Sequence, residues 1–210
     1  MKTNFVRIVA AASLVLFSCQ QGYSQGTFQN LNFENPIPPL TPGPNGLVPT
    51  ANALPGWTAY INDNPRDFVF FSNIALGSPS ISVVDSLSPG YQPIQGNYSV
   101  FFRSAGLGQT GQIPNDASSL FFLREPLSFF LASFGGQSIP LVEFGASGNN
   151  IIMAGDISMF AGQAGELRFV GTGLFDDMQF SNQPIPEPGT FCLFGLGALL
   201  LGWRFLCKRT

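Results

Sequence analysis

The side chains available for chemistry in this 210-residue chain are carboxylates, hydroxyls and a few arginines; there is no histidine. Without an imidazole, Ser-His-Asp and Cys-His nucleophilic catalysis is excluded, and so is any His-bearing zinc site. Glycosidic bonds can be cleaved with two carboxyl groups alone, so Glu125, Glu143 and Glu166 are the residues to weigh for hydrolysis. Their spacing selects no pair, and we expect no enzyme here. Flat rings with a polar handle are a different resource. Tyr91, Trp57 and Tyr98 could stack on the C–H face of a pyranose while neighbouring Asn, Gln or Asp side chains bond its hydroxyls. Tyr91 sits in a Pro-Gly-Tyr-Gln-Pro loop and is expected to be exposed. Trp57 follows Pro55-Gly56 at a strand start and is expected to be buried.

Charge narrows the partners. Residues 25–183 hold four arginines (Arg66, Arg103, Arg124, Arg168), no lysine and eleven carboxylates, a net charge of −7. Such a surface repels phosphate-rich polymers, so no nucleic-acid partner is expected. The three cysteines, Cys19, Cys192 and Cys207, all lie near the two ends. The stretch between them has no disulfide available and must be held by its core.

The elements that position these residues read as strands. Short apolar runs rich in Phe, Val and Ile alternate with Gly, Pro, Asn and Ser clusters. Strands are expected at 28–33, 57–61, 68–71, 80–84, 98–103, 119–123, 141–144, 150–153, 166–170 and 175–180. No long segment keeps a helical period; one helical turn is expected at 157–160, capped by Asp156 or Ser158. Residues 36–49 form a Pro-rich loop, and 106–111 (GLGQTG) reads as a hairpin loop. Of the 22 phenylalanines, 17 fall between residues 25 and 183, enough aromatic surface for a core of their own.

Both ends read as addresses. Lys2 and Arg7 precede an apolar stretch at 8–17 that is short for a membrane span, and Gly22 and Ser24 fit a cleavage site after Ser24. A rougher lipobox around Cys19 ranks below ordinary cleavage. At the other end, residues 184–189 (PIPEPG) form a stiff linker, 190–206 is nearly all apolar, and Lys208 and Arg209 close the segment. Arg204 interrupts the apolar run near its end, where its long stem could reach the interface.

Pro186-Glu187-Pro188, an apolar Gly/Leu-rich helix and a basic tail (Arg204, Lys208, Arg209) together resemble the PEP-CTERM sorting signal. That resemblance implies an exported bacterial protein recognised by an exosortase-type processing enzyme and held in the membrane by its C-terminal helix before processing. It places the chain at the cell surface or in an exopolysaccharide matrix. A second, shorter resemblance joins Asn32-Phe33-Glu34 near the mature N-terminus to Phe175-Asp176-Asp177 near the domain's end. It is similar to galactose-binding-like jelly rolls, whose two end strands often hold a structural calcium. What it implies is a calcium site drawn from Glu34, Asp177 and Asp176. Adjacent Asp residues on a strand point to opposite faces, so only one of them can enter a single site; the resemblance implies Asp177 as the partner of Glu34, with Asp176 second.

The expected organisation is a signal peptide at 1–24, an all-β, jelly-roll-like β-sandwich at 25–183, and a sorting signal with one transmembrane helix at 184–210. The expected role is non-catalytic, with extracellular polysaccharide as a ligand. The alternatives are a carboxylate-dependent carbohydrate-active enzyme and a protein-adhesion domain.

Overall fold

The computed structural model describes residues 23–24, 26–38, 40–43, 45–74 and 79–185. Across these the chain is all-β. Thirteen strands join in one hydrogen-bonded network. They are β1 (Tyr23–Ser24), β2 (Leu47–Pro49), β3 (Thr58–Ile61), β4 (Asn64–Arg66), β5 (Phe68–Phe71), β6 (Ser80–Val84), β7 (Ser99–Gln112), β8 (Ser119–Arg124), β9 (Phe129–Phe134), β10 (Gln137–Ile139), β11 (Leu141–Ser147), β12 (Asn150–Asp156) and β13 (Ala164–Ser181). Among the described residues the helical pieces are a single turn, α1 (Thr50–Ala53), and a 3-10 turn at Ser158–Phe160.

Two long strands organise the rest. β7 has 14 residues and β13 has 18. They pair antiparallel from Ala164↔Gln112 to Phe175↔Val100, with a bulge between Gly171 and Gly173. At the bulge Gly173 takes φ +118°, and opposite it Ser104 takes φ 48°. A β-carbon at residue 173 would be strained at that φ and would strike Ser128, so only glycine fits.

The bulge divides the molecule into two wings. The first runs β11-β12-β8, then the second half of β13, the first half of β7, and β6-β5-β2. The second runs β10-β9, the first half of β13, the second half of β7, and β3-β4. Pairing is antiparallel throughout except between β5 and β6. The wings face one another across phenylalanine. Phe102, Phe122 and Phe175 of the first wing meet Phe130 and Phe169 of the second with ring centroids 4.8–6.1 Å apart. Each buried ring is worth roughly 2–3 kcal/mol of hydrophobic stabilisation. Residues 113–118 tie the two ends of β13 together: the Ile113 amide donates to Gln163 O at 3.0 Å and the Ser118 amide to Ser181 O at 2.8 Å.

Alternation gives the first wing a second, outward face. Phe101 and Leu174, the neighbours of inward Phe102 and Phe175, join Val84 in a small separate cluster. Tyr91 and Ile94 cover it, so the chain between β6 and β7 is folded down onto the outside of the sheet.

Several expectations change. Residues 28–33 form no strand; a turn closes at 30–33, where the Phe33 amide donates to Asn30 O at 3.2 Å and Asn30 and Phe33 both take positive φ. Residues 106–111 are not a hairpin loop but part of β7. Their outward positions are Gly106 and Gly108, and the missing side chains leave room for Tyr60 and Glu166 to lie across the strand. The two strands expected at 166–170 and 175–180 are one, β13. β9 had not been expected at all. The turn at 157–160 is present, and Asp156 Oδ1 accepts the Ser158 amide at 2.9 Å.

Among the described residues no helix is long and apolar enough to cross a membrane. The expected leader and C-terminal helix, with Cys19, Pro186, Glu187, Pro188, Arg204, Lys208 and Arg209, lie outside the described residues apart from β1. The backbone of β1 pairs with Phe180 and Ser181, so cleavage after Ser24 would remove this strand from the domain.

Candidate functional site

The outward loop at 91–99 is where the sequence-predicted residues converge. Phe33 carries one half of the arrangement. It is fully buried, its ring 5.7 Å from Trp57 and 5.8 Å from Phe175. With Phe33 anchored in the core at positive φ, the next residue, Glu34, is set at the surface facing the loop. Glu34 Oε1 accepts the Asn97 amide at 2.8 Å and the Tyr98 amide at 2.9 Å, and Oε2 accepts Asn97 Nδ2 at 2.9 Å. Gly96 stands against the same carboxylate, where a β-carbon would collide with it.

Asp176 holds the loop from beneath. It is 1% exposed. Its Oδ2 accepts the Gln95 amide at 3.1 Å and the Ser99 hydroxyl at 2.6 Å, while Oδ1 accepts the Asp177 amide at 2.7 Å. Ser99 Oγ in turn accepts the Ile94 amide at 2.8 Å. Burial penalises the charged form more than these donors favour it, and pushes the Asp176 carboxyl up to about 7.

The strict alternation expected for the two aspartates fails at this point. A bulge lies between Asp176 and Gln179, and Asp177 takes φ 47°. The extra residue leaves both carboxyl groups near Gln95: Asp176 bonds its amide, and Asp177 shares a groove with it. The residue that shares the loop with Glu34 is therefore Asp176. Asp177 instead accepts Gln179 Nε2 at 2.8 Å. A calcium ion drawn from Glu34 and Asp176 would have to displace backbone amides and a hydroxyl that these oxygens already accept. Among the described residues no three Asp, Glu, His or Cys side chains come together as a metal-ligating group.

Two concavities flank the loop. On one side is a polar cleft of about 410 Å³ bordered by Asp85, Gln92, Gly96, Asn97 and Tyr98. On the other is a groove of about 250 Å³ that includes Gln95, Phe121, Phe144, Asp177 and Gln179.

The aromatic candidates differ in what they can offer. Trp57 is 4% exposed and donates its indole N–H to Asn30 O at 3.0 Å, so its ring faces the core. Tyr91 is half-buried, its ring 4.7 Å from Phe101. Tyr98 is half-buried against Phe71, centroids 6.0 Å apart, and one edge borders the cleft. Two of the three carboxylates weighed for hydrolysis are engaged separately. Glu143 pairs with Arg124 at 2.5 Å, and Glu166 accepts the Tyr60 hydroxyl at 2.8 Å.

Two features escaped sequence reasoning. Arg124 is buried and donates through Nη1 to the carbonyls of Glu125, Pro126 and Ser128, capping the turn before β9. Arg168 lies 4.1 Å above the Tyr60 ring and pairs with Asp63 at 2.6 Å. The Arg168 contacts join residues about a hundred positions apart in sequence, whereas the carbonyls that Arg124 caps lie within four residues of it.

Residues 184–209 match the model of the PEP-CTERM protein-sorting motif. No curated protein and no solved structure matches the chain.

Proposed function

We propose that this chain is an exported surface or exopolysaccharide-matrix protein, and that its all-β domain is a non-catalytic, jelly-roll-like sandwich that holds extracellular glycan. The observation that carries the reading is the sorting motif at residues 184–209. Such a motif is read by an exosortase-type enzyme, and the apolar run within it, residues 190–206, serves as a transient membrane anchor.

The domain's chemistry supports a binding role. Glu143 and Glu166, two of the three carboxylates weighed for hydrolysis, are occupied by different partners on different wings. The loop at 91–99 is fixed from two sides, which pre-orders the polar groups beside it at little entropic cost on binding. Polar side chains border the concavities on both sides of that loop, Asp85, Gln92 and Asn97 on one side and Gln95, Asp177 and Gln179 on the other, and either set offers the donors and acceptors that sugar hydroxyls require.

The test of delivery is the mass of the protein recovered from a host with its exosortase and from the same host without it. The reading expects a C-terminally shortened chain in the first and a longer one in the second. An unshortened C-terminus in both overturns the sorting claim.

A further inference from the structure

We propose that the groove on the outer face of the first wing is the glycan-contact site, and that it takes a neutral hexose polymer. The inference rests on the glycan reading above and names the surface that would carry it.

An exposed ring is the first requirement for carbohydrate stacking, and Phe144 supplies one. It is 46% exposed on β11, the last strand of the first wing. Its position is braced by a neighbour in the same groove, because Phe121 of β8 meets it nearly edge to face, with centroids 5.1 Å apart at 68°. A ring held this way presents an apolar platform with little freedom to lose on binding.

Polar groups at the same groove meet the second requirement. Gln179 donates an amide N–H to Asp177 Oδ2 at 2.8 Å, which orients amide and carboxylate relative to one another. Gln95 and Ser147 extend the fringe. The groove is about 250 Å³, the scale of a sugar ring rather than of a drug-sized ligand. The cleft across the loop is larger, but the one ring at its border, Tyr98, is half-buried on Phe71.

Charge sets the ligand class. The groove contains one carboxylate, Asp177, and neither lysine nor arginine lines it. The surrounding domain carries four arginines against eleven carboxylates. A uronate or sulfate polymer would be repelled, whereas uncharged hydroxyls find both donors and acceptors.

The test uses the full-length chain in a detergent without sugar headgroups. Cellohexaose and dextran serve as neutral probes and polygalacturonate as the anionic one, with binding followed by calorimetry. The expected result is binding of at least one neutral probe and none of polygalacturonate. Phe144→Ala should weaken that binding about tenfold, while Phe144→Trp retains it. Phe68→Ala, which removes an exposed ring elsewhere on β5, and Tyr98→Ala should leave it unchanged. Loss with Tyr98→Ala but not with Phe144→Ala would move the site to the cleft and overturn this inference while the glycan reading stands. A preference for polygalacturonate overturns the neutral class. Failure of a chain with native melting to bind any of the three overturns both readings.

Discussion

The facing sides of the two wings and the outside of the first wing are built by opposite means. Between the wings, Phe175 alone has ring contacts with Phe33, Phe102, Phe122, Phe130 and Phe169. Contacts of that kind are non-directional and many to one, so shape and volume set the arrangement. On the outside, the loop at 91–99 stands on the small Val84, Phe101 and Leu174 cluster. Its fold is decided by two carboxylates and a handful of directed hydrogen bonds. The comparison teaches that the same strand serves both regimes: β13 turns Phe175 inward and Asp176 outward, one residue apart.

The contrast can be broken first from the inside. Phe175→Ala should cost about 3–5 kcal/mol, the range for deleting a buried aromatic ring, with the loss read from denaturant unfolding. A loss of less than 1 kcal/mol would mean that the wings repack freely and that the ring cluster does not set their spacing.

The outside should respond to pH, which the inside ignores. The Asp176 carboxyl, raised to about 7 in the fold by burial, sits above its unfolded value near 3.8. Its contribution is therefore fully present below about pH 4 and is lost as pH rises through about 7, a fall on the order of a few kcal/mol. Melting curves from pH 4 to 8 should show the decline, and Asp176→Asn should flatten it. A wild-type chain that grows more stable over that interval would show that the hydrogen bonds, not burial, govern this carboxyl.

The smallest effect sharpens the comparison most. Glu34→Ala should cost about 1 kcal/mol and should speed hydrogen exchange at the Asn97 and Tyr98 amides while leaving the β7 amides protected. A chelator should shift neither melting nor exchange if the clamp is hydrogen-bonded alone. A melting temperature that drops with chelator and recovers with calcium would reinstate a cation among Glu34, Asp176 and Asp177.

How much was legible in the sequence follows the same divide. The all-β class was readable because Gly, Pro and Asn punctuate the apolar runs. Alternation in Glu166-Leu167-Arg168-Phe169 announced a strand with one buried face. The length of β13 was not readable, because Gly171 and Gly173 look like a break where they are a bulge. The 106–111 run misled for a related reason. Glycines that read as turn residues instead make a lane for the Tyr60 and Glu166 side chains arriving from β3 and β13. The pairing of Glu34 with the Asp176-Asp177 segment came from a resemblance, and both ends of the domain do meet at one loop. The chemistry of the meeting was not foreseen, since the amides of residues 95, 97 and 98 leave no trace in side-chain types. The groove had a visible wall in Phe144, but nothing local placed Phe121 or Gln179 beside it.

β13 also has a mechanical consequence. It is the last described strand, two residues short of the sorting motif, and it pairs with β7, β8, β9 and β1. If the proposed C-terminal anchor holds the protein, drag on the domain would enter along the axis of this strand. Antiparallel ladders loaded along their length share the force among many hydrogen bonds at once, where a peeled edge strand would surrender them one by one. Tension applied through such an anchor would therefore meet the molecule at the strand that pairs with four others, and the load would reach both wings through one continuous backbone.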